Sequence, residues 1–124
     1  MTALILDTES NDLNGVPIQT AYLPFTLENG KIQVNLNDTV SKYYSCDEQI
    51  SFEAMSIHHI LPEDIEGQPH YSKFRLPNEC EYLIGHNIEY DVRSIQKCGV
   101  NTSKIKQICT LNMARKLWPM FRIS

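Results

Sequence analysis

The hydrophobic positions along the chain follow two periods. Ala3-Leu4-Ile5-Leu6 is an unbroken apolar run closing on Asp7-Thr8-Glu9, the pattern of a strand buried on both faces. Residues 18–27 read as a second strand, with Ala21, Leu23, Phe25 and Leu27 on one face and Pro24 implying an edge position or a bulge. Glu28-Asn29-Gly30 is a hairpin turn, because Asn-Gly accepts the positive φ angles that a tight turn needs. The returning strand alternates Ile32, Val34 and Leu36 against Gln33, Asn35 and Asn37.

The period then changes. Residues 51–58 predict a short helix capped by Ser51, with Phe52 and Met55 on one side. Pro62 opens a further helical turn, and residues 66–78, which contain Gly67, Pro69 and Pro77, read as loop. Residues 81–84 form a short strand closed by Gly85-His86-Asn87. A helix follows to about Lys97 and is ended by Gly99. Residues 105–109 give a last strand and residues 110–117 a last helix, with Pro119 after it. A hairpin followed by βαβ-like units predicts an α/β fold with a mixed sheet. The chain has 124 residues and no internal repeat or linker, so residues 1–124 are expected to form one domain.

Composition narrows the classes. No apolar run approaches the roughly 18–20 residues that span a bilayer, and no basic region precedes the apolar run after Met1. No membrane partner and a cytoplasmic location are therefore expected. Cys46, Cys80, Cys98 and Cys109 have no close pairing of the zinc-site kind, which suits reduced thiols, several of them buried. The net charge of −4 hides an asymmetry. Residues 1–72 hold eleven acids against two bases, and residues 73–124 hold four acids against nine bases. Such halves suit carboxylates gathered at a metal and a basic flank for a phosphate backbone, or simply a solvated surface.

Two groups of residues carry candidate chemistry. Asp7 and Glu9 are two apart at a strand end, so period 2 puts both carboxylates on one face. Like charges so placed repel unless a cation lies between them, and carboxylate oxygens suit Mg²⁺ or Mn²⁺. Taken alone, the pair can equally be loop acids. Asp91 falls in the first turn of the helix after Gly85-His86-Asn87. A helix dipole favours an acid there, and the C-terminal ends of parallel strands are also where ligands bind in α/β sheets.

Ile5-Leu6-Asp7-Thr8-Glu9 resembles the first motif of the DEDD superfamily of 3′–5′ exonucleases. Ile84-Gly85-His86-Asn87-Ile88-Glu89-Tyr90-Asp91 resembles its second motif, (A/G)HN followed by (F/Y)D. Residues 50–60, reading I-x-x-x-A-x-x-I-H-x-I, and residues 109–119, reading C-T-x-x-x-A-R-x-L-W-P, resemble segments of the exodeoxyribonuclease X and proofreading-type group. The resemblance runs from Ala3 to Pro119 and implies a ribonuclease-H-like mixed sheet with a β-hairpin and flanking helices. It implies phosphodiester hydrolysis at single-stranded DNA or DNA 3′ ends with two divalent ions. Asp7 would bridge the ions, Glu9 would bind one and Asp91 the other. It also implies nucleotide contacts from Thr8 and from the segment at His58 and Ile60, and a steadying role for Asn87. For His86 a structural role is favoured.

The family's third motif supplies a His or Tyr base and a fourth Asp. No acid follows Asp91 in these residues, and His86 is the last histidine. The expectation is a C-terminally truncated domain with impaired catalysis and an unknown general base. The alternative is a non-catalytic module that binds nucleic acid or a protein partner, for instance as an inhibitor. The apolar end, Leu117, Trp118, Met120 and Phe121, is expected to dock a second copy or a partner.

Overall fold

The computed structural model describes residues 2–117. Their order is β1 (Thr2–Ser10), β2 (Pro17–Glu28), β3 (Lys31–Val34), β4 (Val40–Tyr43), α1 (Phe52–His58), α2 (Pro62–Ile65), β5 (Cys80–Gly85), α3 (Ile88–Gln96), β6 (Lys106–Cys109) and α4 (Thr110–Leu117). The strands make one six-stranded mixed sheet, β3-β2-β1-β5-β6, with β4 also paired to β2. β1 is antiparallel to β2 and parallel to β5, and β5 is parallel to β6. The strand that ends in Asp7-Thr8-Glu9-Ser10 is therefore central, and β5 delivers Gly85 beside it.

The turn chemistry acts as its residues require. Asn29 (φ 53°) and Gly30 (φ 74°) both adopt left-handed angles in the β2–β3 hairpin. The register pairs Phe25 with Val34 and Leu27 with Ile32, so these apolar side chains share one face. Pro24 is neither at a bulge nor on an outermost strand. β4 pairs with β2 through Gln19–Tyr22, and β3 begins pairing at Phe25. The outer side of β2 is thus unpaired at Leu23 and Pro24, where the strand changes partner and a proline is tolerated. β4 itself has no period-2 apolar signal, since Val-Ser-Lys-Tyr leaves only Val40 half-buried.

The expectation for β1 needs correction. It is not buried on both faces: Leu4 and Leu6 are fully buried, but Ile5 is 38% exposed and Asp7 is exposed. The core lies on one side of the sheet, where Leu4, Leu6 and Leu83 pack against Ile88, Val92 and Ile95 of α3, with Tyr44 and Phe74 closing it. Ile88, Val92 and Ile95 recur at helical spacing, which gives α3 its apolar stripe. A smaller cluster of Ile18, Ile50, Ile60 and Ile65 holds α1 and α2. Ser51 caps α1 by accepting from the Ala54 N–H at 3.1 Å. All four cysteines are free thiols, and only Cys98 is buried. Among the described residues, no helix is long and apolar enough to cross a membrane. Of the apolar C-terminal end, Trp118, Met120 and Phe121 lie outside the described residues.

Gly85 sits at a close approach between β1 and α3. A Cβ there would lie 2.9 Å from both the Ile88 side chain and the Leu6 carbonyl oxygen, and 3.5 Å from the Asp91 carboxylate. The Gly85→Ala variant is expected to lose about 1–3 kcal/mol of stability from overpacking, read as a lowered urea midpoint with an unchanged m-value.

Candidate active site

The site begins with the pleat of β1. Leu4, Leu6, Thr8 and Ser10 are buried, whereas Asp7 is exposed and Glu9 half-buried. Asp7 and Glu9 therefore share the open face, as their spacing requires, and the residue between them points the other way. There Thr8 meets Asp91. The Thr8 backbone N–H and hydroxyl both donate to Asp91 Oδ1, at 3.0 and 2.7 Å, across 83 residues of sequence. Asp91 is 3% exposed. Both bonds end on Oδ1, and Oδ2 lies toward Gly85, 3.5 Å from where a Cβ there would stand.

Electrostatics join the three acids. Burial pushes the Asp91 carboxyl from its ordinary 3.8 up to about 6. The Thr8 hydroxyl opposes that rise, and the charges of Asp7 and Glu9 add to it. Burial also raises the Glu9 carboxyl, Asp7 raises it further, and His58 counters both. Each acid is thus in the field of another, the condition that a bound cation relieves. The donor set, hard carboxylate oxygens at a strand end, suits Mg²⁺ or Mn²⁺. Among the described residues, no group of three or more His, Cys, Asp or Glu side chains is gathered closely enough to hold a metal ion without rearrangement. The fit rests on shared charge and on donor chemistry.

His58 ties α1 to the end of β1. Its Nδ1 accepts from the Ile60 N–H at 3.0 Å, so the protonated Nε2 donates to the Ser10 carbonyl at 3.0 Å. That assignment of the tautomer follows from the bonding partners. The ring also borders a cleft of about 200 Å³ that contains Glu9, Ser10, Leu13, Ile57 and Tyr90. The Tyr90 hydroxyl donates to Ser10 Oγ at 2.9 Å. Leu13 and Ile57 are 76% and 77% exposed, so the cleft offers apolar walls beside three acids, Glu9, Asp12 and Glu53.

The structure places three of the expected site residues as follows. Ile60 does not line this cleft, because its side chain is buried at 3% exposure in the Ile18 cluster and only its N–H serves the site. Thr8 is likewise buried, and it holds Asp91 rather than facing the cleft. Asn87 makes no side-chain cap bond. It is exposed and takes φ 69°, the left-handed angle that turns β5 into α3. The His86 Nδ1 lies 3.1 Å from the Thr110 hydroxyl, which donates to the Gly85 carbonyl and joins the end of β5 to α4. Tyr90, Ser10, Leu13 and Ile57 carry no role in the sequence reading. Tyr90 had a signal, standing directly before Asp91, whereas the exposure of Leu13 and Ile57 has none.

No family model matches the chain. Exodeoxyribonuclease 10 of Escherichia coli (strain K12) is 29% identical over 122 residues, covering 97% of this chain and 50% of that protein. The enzyme of the same name from Escherichia coli O6:H1 matches to the same extent. The chain spans about half the length of these curated relatives. A solved structure of exonuclease X in complex with 5′ overhanging duplex DNA superposes with a TM-score of 0.74 at 28% identity, over 98% of this chain and 68% of that one. The likeness is to the DEDD-type exonucleases. The mixed sheet and its flanking helices are the ribonuclease-H-like fold that this exonuclease likeness carries, and Asp7, Glu9 and Asp91 lie in the segments that resemble exonuclease motifs.

A carboxyl whose folded pKa lies above its unfolded value binds its proton more tightly when folded. The Asp91 contribution is therefore favourable at low pH and is lost as pH rises from about 4 through about 6. A shift of about two units corresponds to roughly 3 kcal/mol at neutral pH. In EDTA, Asp91→Asn is expected to raise the thermal midpoint at pH 7.5 and to give no gain at pH 3.5. An equal gain at both pH values would show that the buried charge is not the cause.

Proposed function

We propose that the chain is an exonuclease-type domain acting on DNA 3′ ends in the 3′–5′ direction, with Asp7, Glu9 and Asp91 holding two divalent ions. The observation that carries this reading is the pair of Thr8 bonds to Asp91, which brings the acid of α3 against the strand that bears Asp7 and Glu9. When bound, Mg²⁺ or Mn²⁺ supplies charge stabilisation at the attacked phosphate and at the leaving 3′-oxygen. Asp7, the most open of the three acids, Glu9 and Asp91 would hold the ions. Thr8 is a positioning residue that keeps Asp91 oriented. The cleft beside Glu9 would take the terminal nucleotide, with Leu13 and Ile57 against the base, the Tyr90 ring at one end, and His58 fixed by its two backbone partners.

The general base and the fourth carboxylate are not assigned within residues 1–124, read here as one partial domain. Both ring nitrogens of His58 are engaged, and no acid follows Asp91. These residues alone are therefore proposed to be impaired, with the remaining groups supplied from outside them. The same two facts favour the second reading, a module that binds nucleic acid or a protein without cleaving. The structural neighbour is bound to duplex DNA with a 5′ overhang, which makes a recessed 3′ end a suitable substrate beside single-stranded DNA. Four free thiols support a reducing, cytoplasmic setting.

The test is release of a 3′-terminal label from both DNAs in Mg²⁺ or Mn²⁺. Asp7→Ala and Asp91→Asn are each expected to lower the rate by about 100-fold or more. Activity that persists in Asp7→Ala would remove the metal assignment. A chain that binds DNA without cleaving it would favour the second reading. Thr8→Val keeps the backbone donor and loses the hydroxyl. It is expected to weaken Mn²⁺ affinity by about 10–100-fold, measured by calorimetry, which does not depend on turnover.

A further inference from the structure

A second surface has chemistry unlike that of the site. The segment before α1, the outer side of α1, and α2 enclose an open groove of about 610 Å³. The half-buried Met55 of α1 and the buried Ile65 of α2 form its apolar floor, Phe52 stands at its edge, and the exposed Glu48, Glu63 and Glu66 line its rim. No basic residue lines it. Phe52 is 86% exposed, although the capping of α1 is done by Ser51 and needs no aromatic residue after it. The ring borders both this groove and a neighbouring one lined by residues 11–15 and 48–52, so it projects between two concave surfaces. Aromatic residues and methionine are enriched where protein surfaces meet.

Charge decides what it docks. A rim of three carboxylates with no lysine or arginine among them attracts positive charge. It suits cations carried on an apolar segment. Lysine or arginine would meet Glu48, Glu63 and Glu66, a large apolar side chain would cover Met55 and Ile65, and the Phe52 face would attract a neighbouring cation. We propose that this groove is a docking site for a basic, apolar-anchored segment of a partner protein. The proposal is independent of the exonuclease reading, since none of these six residues belongs to that site.

The probe is a fluorescein-labelled peptide of about twelve residues, with lysine and arginine flanking a central Leu-Trp pair. It is titrated into the whole protein by anisotropy, beside a peptide of the same pattern with glutamate in place of the cations. The basic peptide is expected to bind saturably and the acidic one not at all. Glu63→Lys with Glu66→Lys is expected to weaken binding about tenfold or more, whereas Glu28→Lys with Glu81→Lys, the same charge change elsewhere, is expected to change it less than about twofold. Phe52→Ser is expected to weaken binding about fivefold or more, with circular dichroism confirming an unchanged fold. Absence of saturable binding would overturn the proposal, as would equal loss in both charge-reversed pairs. Sedimentation showing a dimer that Phe52→Ser disperses would also overturn it, by assigning the groove to a second copy.

Discussion

The bond pair between Thr8 and Asp91 Oδ1 is the constraint on which the site depends. Burying a carboxylate is costly unless donors meet it, and hydrogen bonds to a charged group return about 1.5–3 kcal/mol each. Thr8 supplies two donors from one residue, and that requires α3 to start close against β1. The approach is possible only because position 85 has no side chain: a Cβ would meet the Leu6 carbonyl and Ile88 at 2.9 Å. The parallel pairing of β1 with β5, which sets Ile5 opposite Ile84, brings Gly85 to that point. Register, glycine, helix start and buried acid are one linked arrangement. The compensation is incomplete, since the Asp91 carboxyl still rises to about 6, and the unbalanced part comes from burial and from the two acids on the other face of the same strand.

What was legible in the sequence was local. Asn29-Gly30 specifies its turn through φ, Ser51 specifies the start of α1 through its own hydroxyl, and Ile88, Val92 and Ile95 specify the buried face of α3 through their spacing. The shared face of Asp7 and Glu9 follows from period 2 alone. The contacts that needed the third dimension were hidden. An apolar run cannot say that one face lacks cover, so Ile5 looked as buried as Leu4. β4 forms because the outer edge of β2 is open at Gln19–Tyr22, not because Val-Ser-Lys-Tyr is a strong strand sequence.

The candidate site shows the same division. The types and spacing of Asp7, Glu9 and Asp91 were readable, but their division of labour with Thr8 was not. Thr8 stands between two acids in the sequence and looks like part of a ligand-facing loop. In the fold, the alternation that exposes its neighbours turns it inward, and its hydroxyl becomes the support of the third acid. His58 and Ile60 separate in a comparable way. Two residues apart on either side of the C-terminal cap, one ring reaches the Ser10 carbonyl while the other side chain enters the Ile18 cluster. The left-handed His59 between them, φ 60°, redirects the chain.

The acid-rich first half of the chain therefore serves two different physical situations, which the summed charge conceals. Around the end of β1 the charges of Asp7 and Glu9 raise the proton affinity of the buried Asp91, and Asp7 raises that of Glu9; a small divalent cation is the partner that answers concentrated negative charge. At the groove the carboxylates stand apart on a solvated rim above an apolar floor. Solvated acids have little need of a metal, and the unburied free energy there lies in Phe52 and the hydrocarbon around it. Such a surface is stabilised by covering carbon while its cations are met at the edge, which a polypeptide can do and a metal ion cannot. Like residues in the two places thus call for unlike ligands, and the difference follows from what surrounds them rather than from how many there are.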